Sequence, residues 1–213
     1  MGKVRVDCFS ISVDGFGAGP NQTLENPLGE RGQELHTWFF PTKAIQKAVF
    51  GKDGGADGVD NGFAERSFEN VGAWILGRNM FGPVRGDWLD DNWKGWWGDA
   101  PPYHCDVYVL THYPRASFSL SDTTFHFVTD GPDAALKRAK ASAGAKDVRI
   151  GGGASTIRQY LQAGQIEDMH LAVSPVLLGR GEHLLHGIDL NALGFKARMF
   201  SGEGATHYMI SKW

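Results

Sequence analysis

The stretch Val148-Arg149-Ile150-Gly151-Gly152-Gly153-Ala154-Ser155-Thr156 decides how this chain is read. Val148–Ile150 is a short apolar strand. Three glycines follow, and Gly153–Ala163 then reads as a helix that stops near Gly164. Consecutive glycines leave backbone N–H groups bare enough for a phosphate to sit against them. The helix N-terminus behind them adds unpaired donors and a partial positive charge. Ser155 and Thr156 add hydroxyls. The competing reading is a tight strand-to-helix turn that holds nothing. The pattern is not G-x-G-x-x-G and has no P-loop lysine.

Two other strands end in the same manner. Ala73–Leu76 is an apolar run closed by Gly77, and Arg78 and Asn79 follow it. Val107–Leu110 runs into Thr111-His112-Tyr113-Pro114-Arg115. In an open α/β sheet the ligand crevice lies beyond the carboxyl ends of the strands. Three such endings on neighbouring strands therefore meet at one edge. NADPH fits the set, with Arg78 and Thr111 or His112 at one end. Gly151, Gly152, Gly153 and Ala154 to Thr156 then take the pyrophosphate. Taken alone, Arg78 also reads as a surface cation that caps a helix or pairs with a carboxylate.

The first strand, Val4–Val13, breaks at Asp14-Gly15. Asp14, with Ser12 and Gly15, is a candidate for the pocket and Asp14 for proton transfer. The competing reading is a turn aspartate bonded to its own backbone. The loop Pro175–Gly181, with Leu178 and Gly179, is placed to line the same pocket or is an ordinary crossover.

Between these motifs the chain alternates. Helical patterns cover Leu35–Phe40 and Thr42–Val49, separated by Pro41, then Phe63–Val71 and Pro132–Ala143. Thr124–Val128 and Glu167–Val173 read as strands. Phe195–Phe200 and His207–Ser211 form an antiparallel pair around Gly202–Gly204. The expectation is one α/β domain over residues 1–213, with a mostly parallel mixed sheet and antiparallel C-terminal strands. Residues 82–104 are a Trp- and Pro-rich excursion, read either as a cover that stacks on a planar ring or as a loop packed by its own aromatics.

Composition narrows the function classes. The 213 residues carry a net charge of −3, which argues against a polynucleotide partner. The chain is 42% hydrophobic and 21% charged, a folding composition. No apolar run approaches the roughly 18–20 residues of a membrane span, and no signal-peptide core is visible. Two cysteines, Cys8 and Cys105, make no disulfide framework, and the eight histidines have no metal-ligand spacing. A cytoplasmic setting is expected. Glycine is used 29 times, about twice its ordinary frequency.

Taken in order, SISVDGFGAG, ILGRNMFG, YVLTHYPR, IGGGASTIRQYL and SPVLLGRGEHLL resemble the dihydrofolate reductase-like superfamily. More closely they are similar to the reductase domain of the riboflavin-biosynthesis deaminase-reductase, over residues 4 to about 211. The resemblance implies a dihydrofolate reductase-like three-layer α/β/α fold and NADPH as hydride donor. It also implies a small heterocyclic or carbonyl substrate and a homodimer. It places Gly77, Arg78, Thr111 and His112 at the adenosine-phosphate end and Gly152–Thr156 on the pyrophosphate. Ser12, Asp14 and Gly15 fall near the nicotinamide and substrate. Two departures stand out. Cys8 occupies the place of a lysine six residues before the aspartate in the riboflavin-type reductases, and the H-x-E and P-C-x-x-C deaminase signature is absent. A non-catalytic nucleotide-binding protein is the alternative reading.

Overall fold

The computed structural model describes residues 2–82, 86–88 and 92–212; residues 83–85 and 89–91 of the Trp-rich excursion lie outside the described residues. The chain runs through β1 (Val4–Ser12), a 3-10 turn (Gly32–His36), α1 (Lys43–Phe50), α2 (Val59–Arg66), β2 (Val71–Gly77), α3 (Arg78–Phe81) and β3 (Asp106–Leu110). It continues through β4 (Phe118–Leu120), β5 (Thr123–Val128), α4 (Pro132–Ala143), β6 (Asp147–Gly152), α5 (Ala154–Gln162), β7 (Asp168–Ser174), β8 (Phe195–Ser201) and β9 (Thr206–Lys212). The nine strands form one sheet in the order β4-β5-β3-β2-β6-β1-β7-β9-β8. β5, β3, β2, β6, β1 and β7 are parallel. β4 and the β8–β9 hairpin are antiparallel. The mixed sheet with antiparallel C-terminal strands is the one expected from sequence.

β1 shows how side-chain pattern sets backbone geometry. Val4, Val6, Phe9 and Ile11 all enter the same buried cluster. Simple alternation would send Phe9 and Ile11 to the opposite face from Val4 and Val6. One extra residue, Cys8, restores the parity. It sits at φ 49, and the β1–β7 register shifts between Val6 and Phe9, which is a β-bulge. α4 and α5 close this face, adding Ala135, Leu136, Ala139, Ile157, Tyr160 and Leu161 to the cluster. Each buried aliphatic side chain there stabilises the fold by roughly 1.5–3 kcal/mol.

The other face holds a second cluster built on Trp74, Leu76, Val107, Val109 and Phe125, with Phe81 of α3 packed on it. The described parts of the Trp-rich excursion belong to this layer. Trp93 Nε1 donates to Phe81 O at 2.9 Å and Trp96 Nε1 to Met80 O at 3.0 Å. Farther along, Trp38 packs with Ala172 and Ala205.

Local expectations differ from the structure in three places. The helix expected over Leu35–Phe40 is replaced by the 3-10 turn at Gly32–His36 and the turns after it. The helix expected over Phe63–Val71 lies earlier, at Val59–Arg66. Its start is held by Glu203, whose carboxylate accepts the N–H groups of Val59 and Asp60 from 144 and 143 residues away. β4 has only three residues and pairs with β5 through the tight Ser121 turn. No helix among the described residues is long and apolar enough to cross a membrane.

Candidate functional site

A cavity of about 830 Å³ opens at the carboxyl ends of β2, β3 and β6 and extends along β1. That is within the size range of small-molecule sites. Ten of the eleven residues expected to hold a cofactor line it. They are Gly77, Arg78 and Asn79 after β2, Thr111 and His112 after β3, and Gly151, Gly153, Ala154, Ser155 and Thr156 at the β6–α5 turn. The adjacency follows from the sheet order β3-β2-β6.

The three glycines have separate jobs. A Cβ on Gly151 would drive into Leu76 and the Trp74 ring, so this glycine serves packing. Gly152 is at φ +115, and a Cβ there would meet Phe9 Cε2 at 2.7 Å. It does not line the cavity. Gly153 is at φ −68 and ψ −169, and a Cβ on it would meet nothing within 4 Å, so it faces open space. The Gly152–Gly153 peptide is cis. Behind it, α5 begins without any side-chain cap, leaving its first-turn N–H groups without intrahelical partners. Gly77 has no room for a Cβ because Thr156 Oγ1 lies against it, which draws the β2 and β6 endings together.

Arg78 faces the same space. Its Cζ lies 3.2 Å from the centroid of the Trp88 ring, and Nη1 reaches Thr111 Oγ1 at 3.4 Å. Nε is buried with no partner. Arg115 shares the indole, 4.9 Å from its centroid. Burial, then the neighbouring charge of Arg115, lowers the Arg78 guanidinium from its ordinary value. No carboxylate among the described residues pairs with Arg78, so the sequence alternative of an ion-paired surface cation is not what the structure shows.

The substrate-side expectations land elsewhere. Ser12, Asp14, Gly15, Leu178 and Gly179 do not line the cavity. The Asp14 carboxylate instead ties two loops together. It accepts from Ser12 Oγ at 2.5 Å, Leu178 N at 3.1 Å and Gly179 N at 2.6 Å. Burial raises this carboxyl, and the three hydrogen bonds outweigh it, so the group is held below its ordinary value. Asp14 therefore stays ionised at neutral pH and accepts hydrogen bonds that join two loops, the turn role that the sequence offers beside the pocket role.

The cavity wall along β1 contains Cys8 together with groups that sequence reasoning passed over: Asp7, Ser10 and Arg149, with His36 above them. Asp7 is ion-paired to Arg5 and to Arg66, and Arg66 also holds Asp168 at 2.8 Å. Arg149 donates to Ser67 O at 2.6 Å and Asp7 O at 2.8 Å and stacks 4.0 Å above Trp74. The Cys8 thiol donates to Phe63 O at 3.2 Å, and burial pushes it up to about 12, so it is not a thiolate.

Cys8 is also the end of a buried relay. Its N–H donates to His170 Nδ1 at 3.1 Å. His170 Nε2 lies 2.9 Å from His207 Nδ1, and His207 Nε2 lies 2.7 Å from Asp60 Oδ1. Because Nδ1 of His170 accepts, a neutral His170 carries its proton on Nε2 and donates to His207, which in turn donates to Asp60. Phe63 stacks on both rings at 4.3 and 4.4 Å. Burial, then His207, lowers His170 well below the usual histidine value and keeps it neutral. The relay thus fixes the bulge that shapes the β1 wall. The one signal for it in the sequence is the broken V-x-V-x-x-F-x-I parity at Cys8.

Two solved structures share the architecture over the whole of this chain. A riboflavin biosynthesis protein from Shewanella sp. PV-4 superposes with a TM-score of 0.58 at 20% identity, covering 100% of this chain and 99% of that one. A diaminohydroxyphosphoribosylaminopyrimidine deaminase/5-amino-6-(5-phosphoribosylamino)uracil reductase from Thermotoga maritima gives 0.54 at 13% identity, covering 100% of this chain and 57% of that one. A dihydrofolate reductase from Enterococcus faecalis, complexed with NADP(H), gives 0.48 at 15% identity over 73% of this chain and 83% of that one. No curated protein matches the chain in sequence. The sequence model of the RibD C-terminal domain matches residues 3–203, nearly the whole length, and the chain therefore belongs to the RibD C-terminal domain family.

Proposed function

We propose that this protein is an NADPH-dependent oxidoreductase that reduces a small heterocyclic or carbonyl compound. The observation that carries the reading is the open side of Gly153 beside the uncapped start of α5, inside a cavity that also holds a carboxylate-free arginine. These residues fit a dinucleotide. The first-turn N–H groups of α5 and the Ser155 hydroxyl suit a diphosphate. Arg78, aligned by Trp88 and Thr111, suits an additional phosphate on the adenosine ribose, and an anion there relieves its repulsion with Arg115. When bound, the reduced nicotinamide supplies hydride.

The chain's own part is orientation and exclusion of water. The bulge at Cys8 places Phe9 against Gly17 and Gly152, so one ring supports the floor of the cavity and the glycine turn together. Ser10 is held by the Trp38 indole at 2.9 Å. Among the described residues, no side chain of the β1 wall is a free carboxylic acid. The proton required on the product is accordingly assigned to water rather than to Asp14.

Titration with NADPH and with NADH, followed by quenching of tryptophan fluorescence, tests the reading. Trp74, Trp96 and Trp97 line the cavity and report directly. Saturable NADPH binding at micromolar concentration, at least about tenfold tighter than NADH, is expected from one extra charge-assisted phosphate contact. No binding of either nucleotide overturns it.

A further inference from the structure

The part of the cavity that lies along β1 is walled by Phe39, Phe40, Ile45, Val49 and Phe68. Its floor is polar by residue type yet closed by hydrogen bonding. Asp7 is held by Arg5 and Arg66, Arg149 gives both Nη atoms to backbone carbonyls, and Ser10 and Cys8 are bonded to Trp38 and Phe63. Two polar atoms of this wall are left without partners: His36 Nδ1 and Arg149 Nε. Burial lowers His36 to about 4, so its ring is neutral at physiological pH.

A pterin or aminouracil edge presents alternating donors and acceptors, and burying them unpaired costs several kcal/mol. A phosphoribosyl tail needs an uncommitted cation. Among the described residues of this wall the Asp7 carboxylate is taken by Arg5 and Arg66, and Arg149 has both Nη atoms on backbone carbonyls, so that only its Nε is left to donate and no two-pronged grip on a phosphate remains. Two isolated polar atoms among aromatic rings suit one carbonyl on an apolar body.

Resting on the reductase reading above, we propose that the substrate is an uncharged, unphosphorylated aromatic or alicyclic carbonyl compound bound through the Phe39, Phe40 and Phe68 walls. The reaction class is carbonyl reduction. The C=O π bond breaks, its carbon gains the hydride of the reduced nicotinamide, which is thereby oxidised, and its oxygen gains a proton from water. The products are an alcohol and the oxidised nicotinamide.

Calorimetric titration tests this with 1-tetralone and acetophenone as carbonyl probes. 6,7-Dimethylpterin, 5-aminouracil and ribose 5-phosphate are the competitors. Each is titrated into the NADP⁺-loaded protein, where no turnover occurs, and into the cofactor-free protein. The expected result is 1-tetralone binding at least about tenfold more tightly than any of the three polar compounds. Phe40→Ala, at a ring already 41% exposed, is expected to fold normally and to weaken that binding by about fivefold. Equal or tighter binding of a pterin, aminouracil or sugar phosphate overturns the proposal. So does failure of both ketones to bind, or unchanged tetralone affinity in Phe40→Ala. If NADP⁺ fails to bind while tetralone still enters the free cavity, the reductase reading falls and the apolar ligand class stands.

Discussion

Gly153→Ala separates what the glycine turn does for the fold from what it does for a ligand. At φ −68 and ψ −169 an alanine is unstrained, and its Cβ meets no atom within 4 Å. The fold therefore loses nothing. Reduced freedom of the unfolded chain adds about 0.4–1 kcal/mol of stability. The methyl group, however, projects into the cavity where a diphosphate approaches the α5 amides. Losing one charge-assisted hydrogen bond there costs about 1.5–3 kcal/mol, or roughly 10- to 100-fold in Kd. Gly152→Ala is the contrasting variant. It forces an L-residue to φ +115 and brings Cβ within 2.7 Å of Phe9 Cε2, costing about 1–3 kcal/mol of stability. The assay is a thermal melt paired with NADPH titration by tryptophan quenching. The expected pattern is an unchanged or raised Tm with weakened binding for Gly153→Ala, and a Tm lowered by several degrees for Gly152→Ala. A Gly153→Ala protein that melts normally and binds NADPH within about twofold of the parent refutes the reasoning.

Arg78→Ala removes a cation that has no carboxylate to leave behind. NADPH affinity should fall by about tenfold or more while NADH affinity changes by less than about twofold, since only the former carries the extra phosphate; equal losses for both in parallel titrations would place Arg78 elsewhere on the nucleotide. Stability should also fall in mild acid. His36 and His170 have folded-state values depressed by burial from 6.5, so the unfolded chain binds more protons than the native one as pH drops. The stabilisation is fully present above about pH 6.5 and is lost as pH falls towards 4, with a slope of up to about 1.4 kcal/mol per pH unit for each histidine. Urea midpoints measured from pH 7.5 to 4.5 check this, and a flat profile contradicts the burial of the neutral rings.

The parts of the fold that were legible in the sequence are those decided by neighbours in the chain. Pro132 at the start of α4 and the apolar run closed by glycine at β2 are local signals, and the structure holds both elements where they were expected. The glycine turn at β6–α5 is local too, and sheet order brings it beside Arg78 and Thr111. α2 was displaced because the groups that cap it come from Glu203, which no local window contains. β4 escaped notice because three residues cannot display a period. Asp14 reads two ways from the sequence because a carboxylate at a strand end can serve a turn or a pocket. The amides that claim it, at Leu178 and Gly179, are 164 and 165 residues away.

The β1 wall shows the same limit in its sharpest form. Asp7 and Arg149 are charged residues inside strands, and by type they read as solvent-facing or as ligand-binding. The structure ties both up inside the protein: Asp7 pairs with Arg5 of its own strand and with Arg66 of α2, and Arg149 gives both Nη atoms to the carbonyls of Ser67 and Asp7. Most of their hydrogen-bonding capacity is used inside the protein, so a wall rich in polar residues offers the cavity few polar atoms, Arg149 Nε among them. Cys8 follows from that arrangement. A lysine there would add a fourth cation beside Arg5, Arg66 and Arg149, and its ammonium would need a partner that Asp7 no longer has to give. A small thiol bonded to Phe63 O satisfies the position without charge. A neutral thiol at position 8 and the aromatic wall above it therefore answer to one physical constraint, a β1 side already crowded with guanidinium groups on which Arg149 Nε is a donor left over.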